Sequence, residues 1–197
     1  MRFTLIPEKT FEQLQLNAGV LLSSFTPAGM EQSAILEALI AATSGGVNFT
    51  ATPTYTDFGE DIDNAPVNVK ELKKLESWEI KMSGTFVTAT PEMVKRMIGA
   101  ADVDGTDATK VVPRNDVLDT DFKDLWWVGD YSDKNSDTTG GFVAIHMLNT
   151  LSTGGFQLQS GNREKGQFSF EFTAHYSIQD QTKVPFEVYV SAGTGAA

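Results

Sequence analysis

The side chains of this sequence most suited to chemistry are acidic. Asp57, Glu60, Asp61 and Asp63 fall within one short stretch, and Asp102, Asp104 and Asp107 form a second cluster in the run DVDGTD. Clustered carboxylates on a loop are the ligands a calcium ion takes. Neither cluster follows the D-x-[DN]-x-[DN]-G-x5-E pattern: in the second the glycine comes too early, and the twelfth position from Asp102 is Pro113. Solvated turn chemistry is the reading these spacings support. The two histidines, His146 and His175, each lie in a strand-like segment, and no G-x-S-x-G elbow exists to complete a Ser-His-Asp arrangement. The chain has no cysteine, which removes disulfides, thiol nucleophiles and Cys-bearing zinc sites. The pairs Gly45-Gly46, Gly140-Gly141 and Gly154-Gly155 lack the lysine and spacing of a phosphate loop and read as turns. No motif places a pair of carboxylates for acid-base work, so neither an enzyme nor a cofactor or metal site is expected.

The elements that would position these residues are mostly strands. Trp78, Ile80, Met82, Gly84 and Phe86 share one parity and Glu79, Lys81, Ser83 and Thr85 the other, which predicts a strand from Leu75 with one buried face. The run QFSFEFTAHY alternates in the same way. Further strands are predicted at Val47–Thr52, with Pro53 marking its edge or end, at DLWWVGDYSD, FVAIHML and FQLQS, and at Phe186–Val190. Helical spacing of Ile35, Leu36, Leu39 and Ile40 predicts a short helix from Met30 to Thr43, stopped by Gly45-Gly46. A second helix opens with Thr90 as cap and Pro91 in the first turn and ends at Gly99. The expected fold is mainly β: one domain over residues 1–197, an antiparallel sandwich or barrel with one or two short flanking helices. It would carry an N-terminal arm to about residue 27, within which Gly19 to Phe25 reads as an extended arm or a first strand, a long mobile loop at about 56–68 and a flexible tail at 191–197.

Composition narrows the partners. There are 15 Lys and Arg against 26 Asp and Glu, a formal charge of −11, spread along the chain. A nucleic-acid binder needs a basic stripe instead, so specific DNA binding is not expected. The start, MRFTLIPEKT, has no charged segment followed by a signal-length apolar stretch, and nothing approaches the roughly 20 apolar residues of a membrane span. Trp126 and Trp127 send adjacent rings to opposite faces of a strand, so either a helix covers the second face or one ring meets a partner. Lys70, Lys73 and Lys74 form a basic group beside the acidic loop, suited to a solvated face or to half of a charge contact.

Five segments in order carry a resemblance: the AGVLL opening, the ATSGG turn, the DFGEDIDNAP loop, VKELKK leading into Trp78, and WWVGDYSD. Together they resemble the major tail tube protein of long-tailed, siphovirus-type bacteriophages, a family similar in fold to the tube protein of type VI secretion. The resemblance implies β-sandwich subunits that continue their sheets into six-membered rings, and rings that stack into the virion tail tube, the conduit for DNA. It implies assembly in the host bacterial cytoplasm, with the tape measure, tail tip and tail terminator proteins as partners and no membrane. It also implies that Thr56 to Asn68 and Leu16 to Pro27 reach a neighbouring ring. Candidate subunit contacts are then Asp57, Glu60, Asp61, Asp63, Lys70, Lys73, Lys74, Trp126 and Trp127, with Asp102 to Asp107 and Asp130 to Asp137 as candidates for the lumen. The alternatives are a carbohydrate-binding β-sandwich, which would need an exposed ring at Trp78, Trp126 or Trp127, and a tube subunit of a bacterial secretion system.

Overall fold

Alternation of large apolar and polar side chains fixes the centre of the sheet. In the computed structural model, which describes residues 6–7, 10, 13–28, 31–131 and 140–192, Ile80, Met82 and Phe86 are fully buried along β3 (Lys73–Phe86). Phe170, Phe172 and Ala174 are buried along β9 (Gln167–Ala174). The two strands are antiparallel neighbours with Met82 opposite Phe172 and Gly84 opposite Phe170, and Phe86 stacks on Phe170 with centroids 4.2 Å apart. Each of the large side chains among these, Ile80, Met82, Phe86, Phe170 and Phe172, contributes about 1.5–3 kcal/mol of burial.

Around this pair the order is β1 (Gln15–Leu22), β6 (Lys123–Tyr131), β7 (Gly141–Ser152), β9, β3 and β2 (Thr43–Asp57). β8 (Gln157–Gln159) adds to β9 and β10 (Phe186–Ser191) to β7. Every pairing is antiparallel. β7 joins two layers. Phe142 to Met147 pair with β10, whereas Thr150 to Ser152 pair with β9, and β6 runs along the other flank. Phe186 meets Phe49 at 5.8 Å and Trp78 at 5.7 Å, so β10 closes over the β2–β3 layer. The result is an antiparallel β-sandwich with two short flanking helices, as the strand pattern predicts. A separate ribbon pairs β4 (Ala101–Val103) with β5 (Val111–Pro113).

Helix α2 (Pro91–Ile98) has the predicted ends. Thr90 accepts a bond from the Met93 N–H at 3.2 Å, and Gly99 takes φ 84°. Its Met93 and Met97 are buried one turn apart against the main core. Helix α1 is shorter than expected, Gln32–Ala38, and Met30 lies outside the described residues. Leu39 and Ile40 are drawn into the sheet instead: Leu39 bridges Leu22, and the Ile40 N–H donates to the Leu21 carbonyl. Pairing with this segment helps bury Leu21 and Leu22 completely, while a short isolated helix gains little from one more turn.

Gly45 and Gly46 are not a turn that stops the helix, as the sequence reading has it. They lie inside β2, at φ 81° and 84°, where the register against β3 shifts between Thr43 and Val47. This is a bulge, for which glycine supplies the left-handed backbone. Pro53 does not end the strand. It sits opposite Trp78, whose N–H faces away from β2 toward the Tyr176 hydroxyl at 3.1 Å. In an antiparallel pair of that kind both nitrogens point outward, so Pro53 turns its donorless nitrogen to the open edge.

Candidate functional site

The distal half of the β2–β3 hairpin is an exposed feature of the sheet. The two strands pair from Thr43 with Phe86 to Asp57 with Lys73, but β3 has β9 on its other flank only from Lys81 to Phe86. Beyond the contact of Trp78 with Phe186, the outer part of the hairpin, Thr54 to Asp57 with Lys73 to Ser77, is a two-stranded ribbon overhanging the sandwich. Such a ribbon is marginal in water without a covering surface.

Residues 58–72 close it. The predicted loop starts at Phe58, because Thr56 and Asp57 still pair with Lys74 and Lys73. The closure is internally bonded. The Asp57 carboxylate accepts from the Gly59 N–H at 2.9 Å and the Asn68 N–H at 2.8 Å. Phe58 donates to the Leu72 carbonyl, and two turns follow at Gly59–Ile62 and Ile62–Ala65. Asn64 and Asn68 take positive φ, a conformation asparagine tolerates better than most residues.

The structure brings seven of the nine predicted contact residues to this hairpin. Asp57 is committed to holding the tip. Glu60, Asp61 and Asp63 are exposed. Lys70 lies 3.4 Å from Glu71, both largely solvated. Lys73 reaches Asn68 Oδ1 at 3.4 Å and stands 5.4 Å over the Tyr55 ring, and Lys74 is exposed opposite Thr56. The acidic and basic groups thus share one ribbon. Sequence reasoning missed the apolar half of the same surface: Tyr55, Phe58, Ile62, Val67 and Leu75 are 42–71% exposed. Their signal was present, since Phe58, Ile62 and Val67 punctuate the acidic run. Grouped exposed apolar side chains on one projection mark a protein-binding surface.

Trp126 and Trp127 lie elsewhere, on β6, and do point to opposite faces. Trp127 packs against the main core, and its Nε1–H donates to the Ala18 carbonyl at 3.0 Å. Trp126 is 7% exposed in a second core with Leu22, Ala38 and Ala144, covered by Phe25 and by Ile35 of α1. A helix therefore covers the second face, and both rings are occupied within the chain. Trp78 is half-buried against Phe186, so none of the three tryptophans offers an open sugar platform. Of the two readings of the first segment, an extended arm or a first strand, the structure has the strand: Gln15–Leu22 is β1, paired to β6.

The remaining candidates are structural. Asp104 and Asp107 each accept the side-chain hydroxyl and the backbone N–H of the threonine two residues on, which holds both carboxyls below the usual range. Among the described residues no group of three or more His, Asp or Glu is arranged to hold a metal ion. Asp102 pairs with Arg114, and Asp130 accepts from Asn17; Asp133 and Asp137 lie outside the described residues. His146 sits between Asp124 and Glu187, and His175 lies against the Asn149 carbonyl and the edge of Phe122.

A cavity of about 510 Å³ opens between α1, α2 and the start of β6, lined among others by Glu37, Leu39, Thr90, Lys95, Arg96 and Lys123. Arg96 donates to the Asp124 carbonyl, stands 5.9 Å over the Phe172 ring and leaves Nε without a partner. Burial lowers its pKa to about 10, against a smaller opposing pull from Asp124.

No protein-family model matches this sequence, and no curated protein matches it.

Proposed function

We propose that this chain is a structural subunit that closes into six-membered rings and stacks into a hollow tube of the long-tailed phage type, a virion component assembled in the host cytoplasm. The observation that carries the reading is the overhanging β2–β3 ribbon with exposed Tyr55, Phe58, Ile62, Val67 and Leu75. A monomer gains nothing from such a projection, whereas a subunit that reaches into its neighbour buries it. Open edges support ring closure: β2 has β3 on one side only, and β1 has β6 on one side, its other side taken up by Ala38 to Ile40 only near Leu21 to Ser23. A heterologous contact between two different edges closes into a ring when the rotation allows it. The family resemblance in the sequence supplies the six-fold number and the stacking.

The charge fits a conduit. Six copies would bring roughly six times the chain's −11 to each ring, and any share facing the lumen repels DNA phosphates, so the genome passes without specific binding. Tape measure, tail tip and tail terminator proteins are the partners this role requires. The sugar-binding alternative lacks the exposed tryptophan it needs.

Negative-stain electron microscopy of the purified protein over a concentration series, with light scattering alongside, tests the proposal. Rings or tubes of constant diameter are expected. A strict monomer at every concentration, also after addition of a tail tip complex as initiator, overturns it.

A further inference from the structure

Sheets blunt their open edges with a proline, a bulge, a lysine or brevity, because an unpaired row of N–H and C=O groups is a template for another strand. Such devices are present along much of the main sheet. β2 has Pro53 and the bulge at Gly45-Gly46, and β1 has a register shift between Leu16 and Val20, with Asn17 and Gly19 at positive φ. The part of β3 beyond β9 carries Lys73 and Lys74, and β8 is three residues long. β10 has none of these. It runs FEVYVS over six residues in unbroken register with β7, and among the described residues no strand pairs its other flank. Val188 and Val190 are 52% and 62% exposed along it.

The groups left open on that flank follow from the ladder. The Leu148 N–H donates to the Pro185 carbonyl at 3.0 Å, and the Phe186 N–H turns back to the Val184 carbonyl at 2.8 Å. Bonded and non-bonded pairs alternate along an antiparallel ladder, so Glu187, Tyr189 and Ser191 bond β7 while Val188 and Val190 turn N–H and C=O outward. The one charge of the strand is engaged within its own chain. Glu187 accepts from the Tyr189 hydroxyl at 2.6 Å and lies 3.3 Å from Lys183 Nζ and 3.5 Å from His146 Nδ1. Around Tyr189 the sequence is symmetric, Val-Tyr-Val.

We propose that β10 pairs antiparallel with β10 of a second copy of this chain, about a two-fold axis at Tyr189. Val188 then stands opposite Val190 of the other copy, each exchanging its free N–H and C=O, and the exposed valines meet on one face. Glu187 falls opposite Ser191, so no like charges are opposed. The β1-β6-β7-β10 layers of the two copies run on as one sheet. A two-fold contact closes after two copies. It uses neither the β1 nor the β2 edge, and it is independent of the tube reading.

Analytical ultracentrifugation of the full chain over a concentration series, in about 0.5 M salt to screen the −11 of each copy, should show a monomer–dimer step. Val190→Pro removes an outward N–H without touching the β7 ladder, and Val188→Lys places a charge on the seam. Each should weaken the dimer at least tenfold with the thermal midpoint kept, whereas Val190→Thr, which keeps the N–H and the branched side chain, should not. The chain has no cysteine, so Glu187→Cys and Ser191→Cys combined in one chain report the register. Under mild oxidation the double variant should give a covalent dimer at least tenfold faster than either single variant. A strict monomer, a dimer indifferent to both edge variants, or a double variant no faster than the singles overturns the pairing. Electron microscopy of the unmodified protein separates the two ideas. Tubes without the dimer step keep the tube reading and overturn this contact; the dimer without rings or tubes does the reverse.

Discussion

The indole of Trp126 lies flat on the imidazole of His146, ring centroids 3.8 Å apart and planes 8° from parallel. The imidazole is pinned from both sides, with Nε2 3.1 Å from Asp124 and Nδ1 3.5 Å from Glu187. It forms a wall of the second core. We expect His146→Ala to cost about 1–3 kcal/mol, from the lost stack and from two carboxylates left facing a void. His146→Phe, which keeps the ring but not the polar contacts, should recover part of it. Urea midpoints followed by tryptophan fluorescence measure both; equal loss in the two variants would show that the stack contributes nothing.

Asp121 ties the turn before β6 to the β4–β5 ribbon. Its burial favours the neutral acid, but the Leu118 N–H and the Arg114 guanidinium outweigh that and hold its carboxyl below the usual range. A carboxyl with a depressed folded pKa stabilises the fold above its unfolded value, near 3.9 for aspartate. That contribution is lost as pH falls below this value toward the folded one. Asp121→Asn should therefore lower the thermal midpoint at pH 7 and bring it closer to wild type as pH drops below about 4. Parallel melting curves of the two proteins over pH would refute the assignment.

Gly19 sits at φ 69°, and a Cβ there would lie 2.5 Å from Trp127 Nε1 and 2.7 Å from the Val128 carbonyl. Gly19→Ala thus faces both backbone strain and a clash with a packed ring. A loss of about 2–4 kcal/mol is expected, with the Trp127 bond to Ala18 disrupted. Gly45→Ala is the control. Its φ is 81° but nothing lies within 4 Å of the added Cβ, so only the strain, about 1 kcal/mol, should register. Similar denaturation midpoints for the two variants would contradict the packing described for Trp127.

Because Asp57 and Lys73 are register partners, residues 58–72 can be replaced by Asn-Gly, a two-residue turn suited to an antiparallel ladder. The shortened protein should keep a cooperative melt near the wild-type midpoint and lose tube formation. Tubes of normal length from this variant would remove the tip from the assembly.

The reading of the sequence succeeded where one physical constraint dominated locally. Alternation placed β3 and β9, because each has one face on the core. Thr90, Pro91 and Gly99 placed α2, because cap, first turn and left-handed stop are different demands met by different residues. It failed where one residue type serves two ends. Gly45 and Gly46 supply positive φ to a bulge as readily as to a helix terminus, so the stop signal was real and its meaning was not. β7 shows no simple alternation: it buries Gly141, Ala144, Met147 and Thr150, every third residue, as it passes between two layers. The hairpin's acids were legible as a group from their spacing. Its exposed apolar residues interrupt the acidic run in plain view, but apolar side chains such as Phe58 and Ile62 have the composition of a core, and only the overhang leaves them outside.

Pro53 has one more effect. Any strand that adds to the open edge of β2 finds backbone donors up to Ala51 and then a missing one at Pro53, so a growing ladder falls short by a hydrogen bond in its middle. Indefinite edge-to-edge accretion, the route by which long flat strands become amyloid, is discouraged at each step. A guest has to be short enough to stop before the proline or bent enough to skip it. One pyrrolidine ring thus acts as a gatekeeper, admitting a shaped neighbour while refusing a generic one.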